Sequence, residues 1–276
     1  MIQPYRVSTN RAEQGRRKAS AFEREDHGLP GGEEVSGASS LNGSGSPSRD
    51  SLVATPFITV DASRIDSHLV TLCDSDPRAV DQYGKLVVSL LALSGTPSKR
   101  FLITSAKHGE GRTSVVLNLA GALARANLRV LVVETDLTRP SMLRLLGAEV
   151  LSGFPEYLDR GVSLANGAVK VRPFGFSLLA TRTRLEFPVE VLRSPALRAD
   201  LQALETDYDF MLFDSPPLLV SSDAQMLLSL IDKSLLVIRP GITTPSQMAR
   251  ALAMFDKADF AGVVLNRSVP LFSSDE

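Results

Sequence analysis

Short apolar runs alternate with segments of helical periodicity between about residue 99 and residue 265. The runs predict strands at 101–104, 130–133, 177–180, 210–213, 233–238 and 262–265. The periodic segments predict helices at 113–126, 141–146, 188–204, 222–230 and 245–257. Near-continuous apolar strands indicate a sheet covered on both faces, and strands that alternate with helices indicate parallel pairing. The predicted fold class is therefore α/β, with a doubly wound, mostly parallel sheet and helices on both faces.

The regions outside this alternation are predicted to be less regular. Residues 1–54 are poor in apolar side chains and rich in glycine and serine, which is typical of a disordered tail. Residues 55–98 are predicted to be a lead-in segment that packs on the domain and ends in a helix. The domain itself is assigned to 99–270, and 271–276 form a short C-terminal tail.

The helix of the lead-in segment is predicted at 77–93, with Asp76 or Ser75 as its N-cap. Its apolar face comprises Val80, Tyr83, Leu86, Val87 and Leu90. An amphipathic helix of this kind is expected to pack on the core.

One loop carries the strongest chemical signal. Residues 104–114 read TSAKHGEGRTS, follow the strand at 101–104 and open the helix at 113–126. A glycine-bearing loop at a helix N-terminus binds phosphate through backbone N–H groups, so this loop is similar to a P-loop. An ordinary strand-to-helix turn is the alternative for the loop taken alone. The residues predicted to bind the nucleotide are Lys107, His108, Gly109, Glu110, Gly111, Arg112, Thr113 and Ser114.

Acidic residues follow two further predicted strands. Glu134 and Asp136 follow the strand at 130–133, and Asp214 follows the strand at 210–213. In parallel sheets ligands bind beyond the carboxyl ends of the strands, where these residues would meet the loop. Mg²⁺ takes hydroxyl and carboxylate oxygens and accompanies nucleotide phosphates, which predicts ATP with Mg²⁺ held by Thr113, Asp136 and Asp214. Order and spacing therefore favour a P-loop NTPase type of nucleotide-binding domain.

Composition excludes several other classes of function. A formal net charge of −1 gives no reason to expect a nucleic-acid partner. The N-terminus lacks the apolar core of a signal peptide, and no apolar run approaches the ~18 residues of a membrane helix. Membrane association is therefore expected only through a partner. His27, His68 and Cys73 lack metal-ligand spacing.

Three stretches resemble motifs of the bacterial tyrosine kinases of capsule and exopolysaccharide synthesis (BY-kinases), which belong to the MinD/ParA class of P-loop proteins. Residues 104–113 resemble "TSxxPGEGKT", 132–140 (VVETDLTRP) resemble the second Walker motif "(I/V)DADLRRP", and 209–217 (DFMLFDSPP) resemble the Walker B motif "YDxVIIDTPP". Residues 188–194 (PVEVLRS) and 263–267 (VVLNR) are similar to "NPxELLxS" and "GVVLNR". The resemblance covers about residues 75–268.

The resemblance implies an ATP-binding protein-tyrosine kinase, a transferase of exopolysaccharide or capsule biosynthesis. It implies catalytic roles for Arg112, Glu134, Asp136 and Asp214, and contact of Asn266 with the nucleotide base. It also implies a cytoplasmic protein at the inner face of the membrane, held there by a membrane-embedded polysaccharide co-polymerase (chain-length protein). A homo-oligomer is a further expectation.

Several departures from the family pattern leave more than one function open. Arg112 stands for the P-loop lysine, Glu134 for an aspartate, and Gly84 and Val87 for the arginines of the ring-assembly helix. The C-terminus lacks the family's tyrosine cluster. The alternatives are a kinase with weakened catalysis, a non-catalytic pseudo-kinase regulator, and a MinD/ParA-type partitioning ATPase. Lys107 precedes Arg112 by five positions, as in "KGGxGKT", and either supplies the missing ammonium or is a solvated loop lysine.

Overall fold

The computed structural model describes residues 56–93, 99–150, 153, 156 and 163–267. The predicted tails at 1–54 and 271–276 lie outside these residues. Within them, eight strands form one sheet in the order β1-β4-β5-β3-β6-β2-β7-β8. The strands are β1 Phe57–Thr59, β2 Arg100–Ser105, β3 Val130–Glu134, β4 Val169–Arg172, β5 Ser177–Leu179, β6 Phe210–Asp214, β7 Lys233–Ile238 and β8 Phe260–Leu265.

Apart from α1, which the sequence did not predict, the helices follow one another in the predicted order. They are α1 Val70–Cys73, α2 Pro77–Leu93, α3 Arg112–Arg125, α4 Met142–Leu146, α5 Pro188–Leu192, α6 Pro195–Leu204, α7 Ser222–Leu227 and α8 Pro245–Leu252. The limits predicted for α2 are confirmed, and its N-cap is Asp76, whose Oδ1 accepts from the backbone N–H groups of Arg78 and Ala79 at 3.0 and 3.1 Å. No helix of the described residues is long and apolar enough to cross a membrane.

The sheet is mostly parallel and is covered on both faces, as predicted. Each pair of neighbouring strands is parallel except β4 and β5, which are antiparallel. Successive strand side chains point to opposite faces. Accordingly Phe101 and Ile103 of β2 join the core cluster formed with α2 and α3, whereas Leu102 joins the cluster formed with α6 and α7.

Some predicted elements have different limits in the structure. The prediction of a single helix at 188–204 is wrong, because the helical geometry is interrupted between α5 and α6. Pro195 has no N–H and disfavours helical geometry at the residue before it, and Ser194 has φ −58° and ψ 127°. The helix predicted at 222–230 ends as a 3₁₀ turn at Leu228–Leu230, and the one predicted at 245–257 ends at Leu252.

The lead-in segment is ordered where the structure describes it, and it packs on the domain as predicted. β1 extends the sheet by pairing with β4, and the apolar pattern predicted neither of these two strands. The side chain of Asn118, on α3, fastens the segment: its Oδ1 accepts from the backbone N and Oγ1 of Thr71 at 2.9 and 3.1 Å. Its Nδ2 donates to the carbonyl oxygen of His68 at 2.9 Å. The lead-in segment is thereby attached to the helix that begins at the P-loop-like turn.

Candidate nucleotide-binding site

The three predicted chemical motifs meet at one edge of the sheet. They follow β2, β3 and β6, which are neighbours at its centre with β6 between the other two. Asp214 is level with Ile103 of β2 and with Glu134 of β3. The expectation that these strand ends converge is confirmed, since parallel strands end at the same edge.

The loop from 104 to 114 needs glycine at two positions. Gly109 and Gly111 have φ of +85° and +84°, a region that residues with a Cβ rarely adopt. A Cβ on Gly111 would also lie 2.2 Å from Nδ2 of Asn266. Asn266 donates from that Nδ2 to the carbonyl oxygen of Glu110 at 2.9 Å, so it lies against the loop.

The backbone N–H groups of this loop are available to a ligand. Among the described residues, none of the N–H groups from His108 to Ser114 has a hydrogen-bond partner. They lie at the start of α3, where the helix dipole favours negative charge. Consecutive N–H donors at a helix N-terminus match the oxygens of a phosphate chain.

Glu110 shapes the loop through its buried carboxylate. Only 1% of the residue is exposed, its Oε2 accepts from the N–H of Lys107 at 2.9 Å, and its Oε1 accepts from the hydroxyl of Thr243. Arg239 donates from Nη1 to the carbonyl oxygen of Gly109 at 3.4 Å. Neither Thr243 nor Arg239 was predicted from the sequence, although both follow β7, a predicted strand that ends at the same edge.

Arg112 is buried and contacts two of the predicted carboxylates. Only 8% of the residue is exposed, and its Nη2 donates to Oδ2 of Asp136 at 2.8 Å. Its Nε lies 3.6 Å from Oδ1 of Asp214, and its Nη1 donates to Oγ of Ser105 at 3.1 Å. Nε of Arg112 and Oδ1 of Asp214 are buried without a hydrogen-bond partner among the described residues. The guanidinium therefore joins the start of α3 to the ends of β3 and β6.

The remaining carboxylate oxygens of this cluster also have partners. Thr113 donates its hydroxyl to Oδ2 of Asp214 at 2.7 Å, and Oδ1 of Asp136 accepts from Thr138 Oγ1 and the N–H of Arg139 at 3.1 and 3.2 Å. Burial raises the pKa of Asp214 to about 6, although the positive charge of Arg112 and the Thr113 hydrogen bond act in the opposite direction.

These contacts decide how well the site fits the predicted ligands. The N–H groups of the loop fit the phosphates of a nucleotide. The predicted Mg²⁺ ligands Thr113, Asp136 and Asp214 are close together, but a guanidinium already lies against both carboxylates. The described residues contain no group of three or more His, Cys, Asp or Glu side chains able to hold a metal ion. With the side chains placed in this way, the site fits the nucleotide but not the divalent ion.

Glu134 has a different environment from the other predicted catalytic residues. Its Oε1 accepts from the N–H groups of Ser141 and Met142 at 2.5 and 2.8 Å, and its Oε2 accepts from Thr181 N–H at 3.0 Å. Burial raises the pKa of Glu134 to about 7 against the effect of these three bonds. The carboxylate thus holds the start of α4 against the chain that follows β5. Its catalytic role stays a prediction.

Lys107 and His108 are both half-buried in the loop. Burial and the positive charges of Arg139 and Arg112 lower the pKa of His108, so its neutral form is favoured at pH 7. Within the part of the chain that the structure describes, the side chain of Lys107 makes no hydrogen bond or ion pair. Its role as a replacement ammonium stays a prediction.

The comparison with known families agrees with this architecture. The ParA family model, described as NUBPL iron-transfer P-loop NTPase, matches residues 97–274. The chain therefore belongs to this family of P-loop NTPases.

Within that class, the chain is similar to bacterial tyrosine kinases. Tyrosine-protein kinase YwqD of Bacillus subtilis is 27% identical over 207 residues, which cover 74% of this chain and 87% of YwqD. The structure of the kinase domain of Escherichia coli tyrosine kinase ETK has a TM-score of 0.65 and 26% identity, covering 76% of this chain and 85% of that domain. The resemblance predicted from the motifs is confirmed.

A more distant structure shows the nucleotide that a protein of this fold binds. The septum site-determining protein MinD from Pyrococcus horikoshii, solved in complex with Mg-ADP, has a TM-score of 0.53 and 25% identity, covering 62% of this chain and 72% of MinD. Relatives differ in length: the chain spans 87% of YwqD but 26–29% of several longer tyrosine kinases that it matches.

Proposed function

We propose that the protein binds ATP at the 104–114 loop and acts as a BY-kinase-like protein in the assembly of exopolysaccharide or capsule. The observation that carries the proposal is the run of N–H groups from His108 to Ser114 without a partner among the described residues. A row of such donors at a helix start suits the oxygens of a polyphosphate. The relatives named tyrosine-protein kinases support the reaction class.

The proposed reaction moves the γ-phosphoryl group of ATP to a tyrosine hydroxyl of another protein. The bond between the γ-phosphorus and the bridging oxygen breaks as a bond to the phenolic oxygen forms, and ADP leaves. The loop N–H groups orient the phosphates, and Arg112 adds positive charge beside them. The phenolic proton passes to a carboxylate, for which Asp136 is our candidate. Asn266, which touches the loop, is our candidate for contact with the base.

Mg²⁺ accompanies ATP in P-loop enzymes generally, where it neutralises phosphate charge. Thr113, Asp136 and Asp214 would hold it here only after the guanidinium of Arg112 moved away from the two carboxylates. No step of the proposed reaction is therefore assigned to the metal.

We also propose a membrane-embedded polysaccharide co-polymerase as the partner, which would hold the protein at the inner face of the membrane. A second copy of the chain is a further proposed partner. Val88 and Leu91 on the outer side of α2 are 67% and 43% exposed, which is consistent with a contact there.

A non-catalytic regulator of polysaccharide assembly is the second candidate function. The observation that favours it is the engagement of Arg112 by Asp136 and Asp214, since phosphoryl transfer needs charged groups directed at the phosphates. The third, a partitioning ATPase of the MinD/ParA type, would dimerise with nucleotide and form no phosphotyrosine.

One experiment separates these functions. The purified full chain is incubated with its co-polymerase partner and ATP, and phosphotyrosine, ADP and bound nucleotide are measured. A kinase gives phosphotyrosine and ADP, and Asp136→Asn lowers both. A regulator retains ATP without either product. Absence of nucleotide binding in every condition refutes the proposed ATP site.

A further inference from the structure

The guanidinium of Arg112 is itself the cation of the cluster that it forms with Asp136 and Asp214, and this affects which form of the nucleotide the site can bind. The guanidinium is more than nine-tenths buried, with Nη2 on Asp136 and Nε facing Asp214. The inference below rests on the proposed binding of a nucleotide at the same loop.

A magnesium ion in this place would need oxygens that already have partners. It requires near-octahedral ligands at about 2.0–2.1 Å and commonly takes one or two carboxylates. Both oxygens of Asp136 are engaged, one by Arg112 Nη2 and the other by Thr138 and the N–H of Arg139. For Asp214, one oxygen accepts from Thr113 and the other lies 3.6 Å from Arg112 Nε. A second cation would also be repelled by the guanidinium.

A lysine at position 112 would not contact Asp136 and Asp214 in the way that the guanidinium does. Its ammonium is a compact point charge with no planar fork of donors to join two carboxylates. The guanidinium reaches Asp136, Asp214 and Ser105 with three separate nitrogens. Arg112 therefore places its positive charge against both carboxylates that a divalent ion would need.

We propose that Arg112 replaces the divalent cation, so that the site takes its nucleoside polyphosphate as the metal-free anion. The loop N–H groups from His108 to Ser114 bind the phosphate oxygens. The guanidinium offsets part of the negative charge of Asp136 and Asp214, which would otherwise repel the phosphates.

The test measures ATP binding by the full chain with and without a divalent ion. Isothermal titration calorimetry with ATP is run once in excess Mg²⁺ and once in EDTA. The wild-type Kd is expected to be at least about 10-fold weaker in excess Mg²⁺ than in EDTA, because Mg²⁺ competes with the site for the ATP anion, whereas the Kd of Arg112→Lys is expected to be at least about 10-fold tighter in Mg²⁺. Arg125→Lys is the matched control, since Arg125 lies on the same helix and makes an exposed ion pair with Asp74. It is expected to behave like the wild type.

A second measurement follows the metal itself. Mn²⁺ is titrated into the protein in the presence of ADP, and protein-bound Mn²⁺ is detected by electron paramagnetic resonance. We expect no bound Mn²⁺ beyond that of ADP alone for the wild type, and a bound signal for Arg112→Lys.

The outcomes separate this inference from the proposed function. Wild-type binding that is as tight in Mg²⁺ as in EDTA or tighter, or a bound Mn²⁺ signal for the wild type, overturns the inference and leaves nucleotide binding intact. Absence of ATP binding in both buffers overturns the proposed function as well. If Arg112→Lys does not fold, the wild-type calorimetry and Mn²⁺ measurements decide alone.

Discussion

The two glycines of the loop allow a stringent test, because they have nearly the same positive φ and differ in their surroundings. Gly109 and Gly111 have φ of +85° and +84°. A Cβ at Gly109 meets no atom within 4 Å, whereas at Gly111 it lies 2.2 Å from Nδ2 of Asn266. Gly109→Ala therefore measures the conformational cost alone. Gly111→Ala adds the displacement of Asn266 and the loss of its hydrogen bond to Glu110.

The magnitudes follow from these contacts. An alanine with positive φ costs about 1–2 kcal/mol, which is the expected loss of unfolding free energy for Gly109→Ala. Losing the bond between Asn266 and the Glu110 carbonyl costs about 1 kcal/mol more, so Gly111→Ala should lose about 2–3 kcal/mol. Urea unfolding followed by circular dichroism measures both values.

A double substitution shows whether Asn266 is the cause of the difference. In an Asn266→Ala background the clash is absent, so Gly111→Ala should cost no more than Gly109→Ala costs in the wild type. Equal costs for the two glycine substitutions in the wild-type background would refute this reasoning, since Asn266 would then not lie against Gly111.

Three further perturbations test other contacts. Burial raises the pKa of Glu134 to about 7 and that of Asp214 to about 6, above their unfolded values, so their contribution to stability is full at low pH and is lost as pH rises through 6 and 7. Glu134→Gln should flatten the pH dependence of the urea midpoint between pH 5.5 and 8, and an unchanged slope would contradict the shift. Arg112→Met leaves two carboxylates buried without a cation and should cost about 3–5 kcal/mol at pH 8 and less at pH 5; an equal loss at both values would argue against the ion pairs. Asn118→Ala should cost about 2–3 kcal/mol and speed hydrogen exchange in 66–73, and unchanged exchange there would show that this side chain does not hold the segment.

The central sheet could be predicted from sequence because its strands are buried on both faces. The strand at 130–133 is an unbroken apolar run, and the structure places all of β3 in the core. The edge was harder to predict. β1 and β4 are short and partly exposed, with charged side chains such as Lys170 and Arg172, and their strand geometry depends on each other. Whether such segments form strands is decided by their pairing in the folded protein.

The candidate site also has features that could be predicted from the sequence and features that could not. The spacing of the loop, Asp136 and Asp214 along predicted strands was enough to place them at one edge. The sequence specified the guanidinium at position 112 but not its partners, because a long side chain reaches several strand ends. It also gave no sign that the carboxylate of Glu110 turns inward to Thr243, which is a contact across 133 positions of the chain.

The pairing of β1 with β4 has a consequence for how the chain folds during synthesis. Phe57 is in register with Lys170, and the N–H of Lys170 donates to the carbonyl oxygen of Pro56 at 2.8 Å, so the first strand of the sheet cannot pair until a much later part of the chain has been made. At translation rates of about 5–20 residues per second, that interval is roughly 6–23 s. Contacts this distant in sequence also slow folding. We therefore expect the edge strand to dock late, after α3 and the central strands have formed a surface for it.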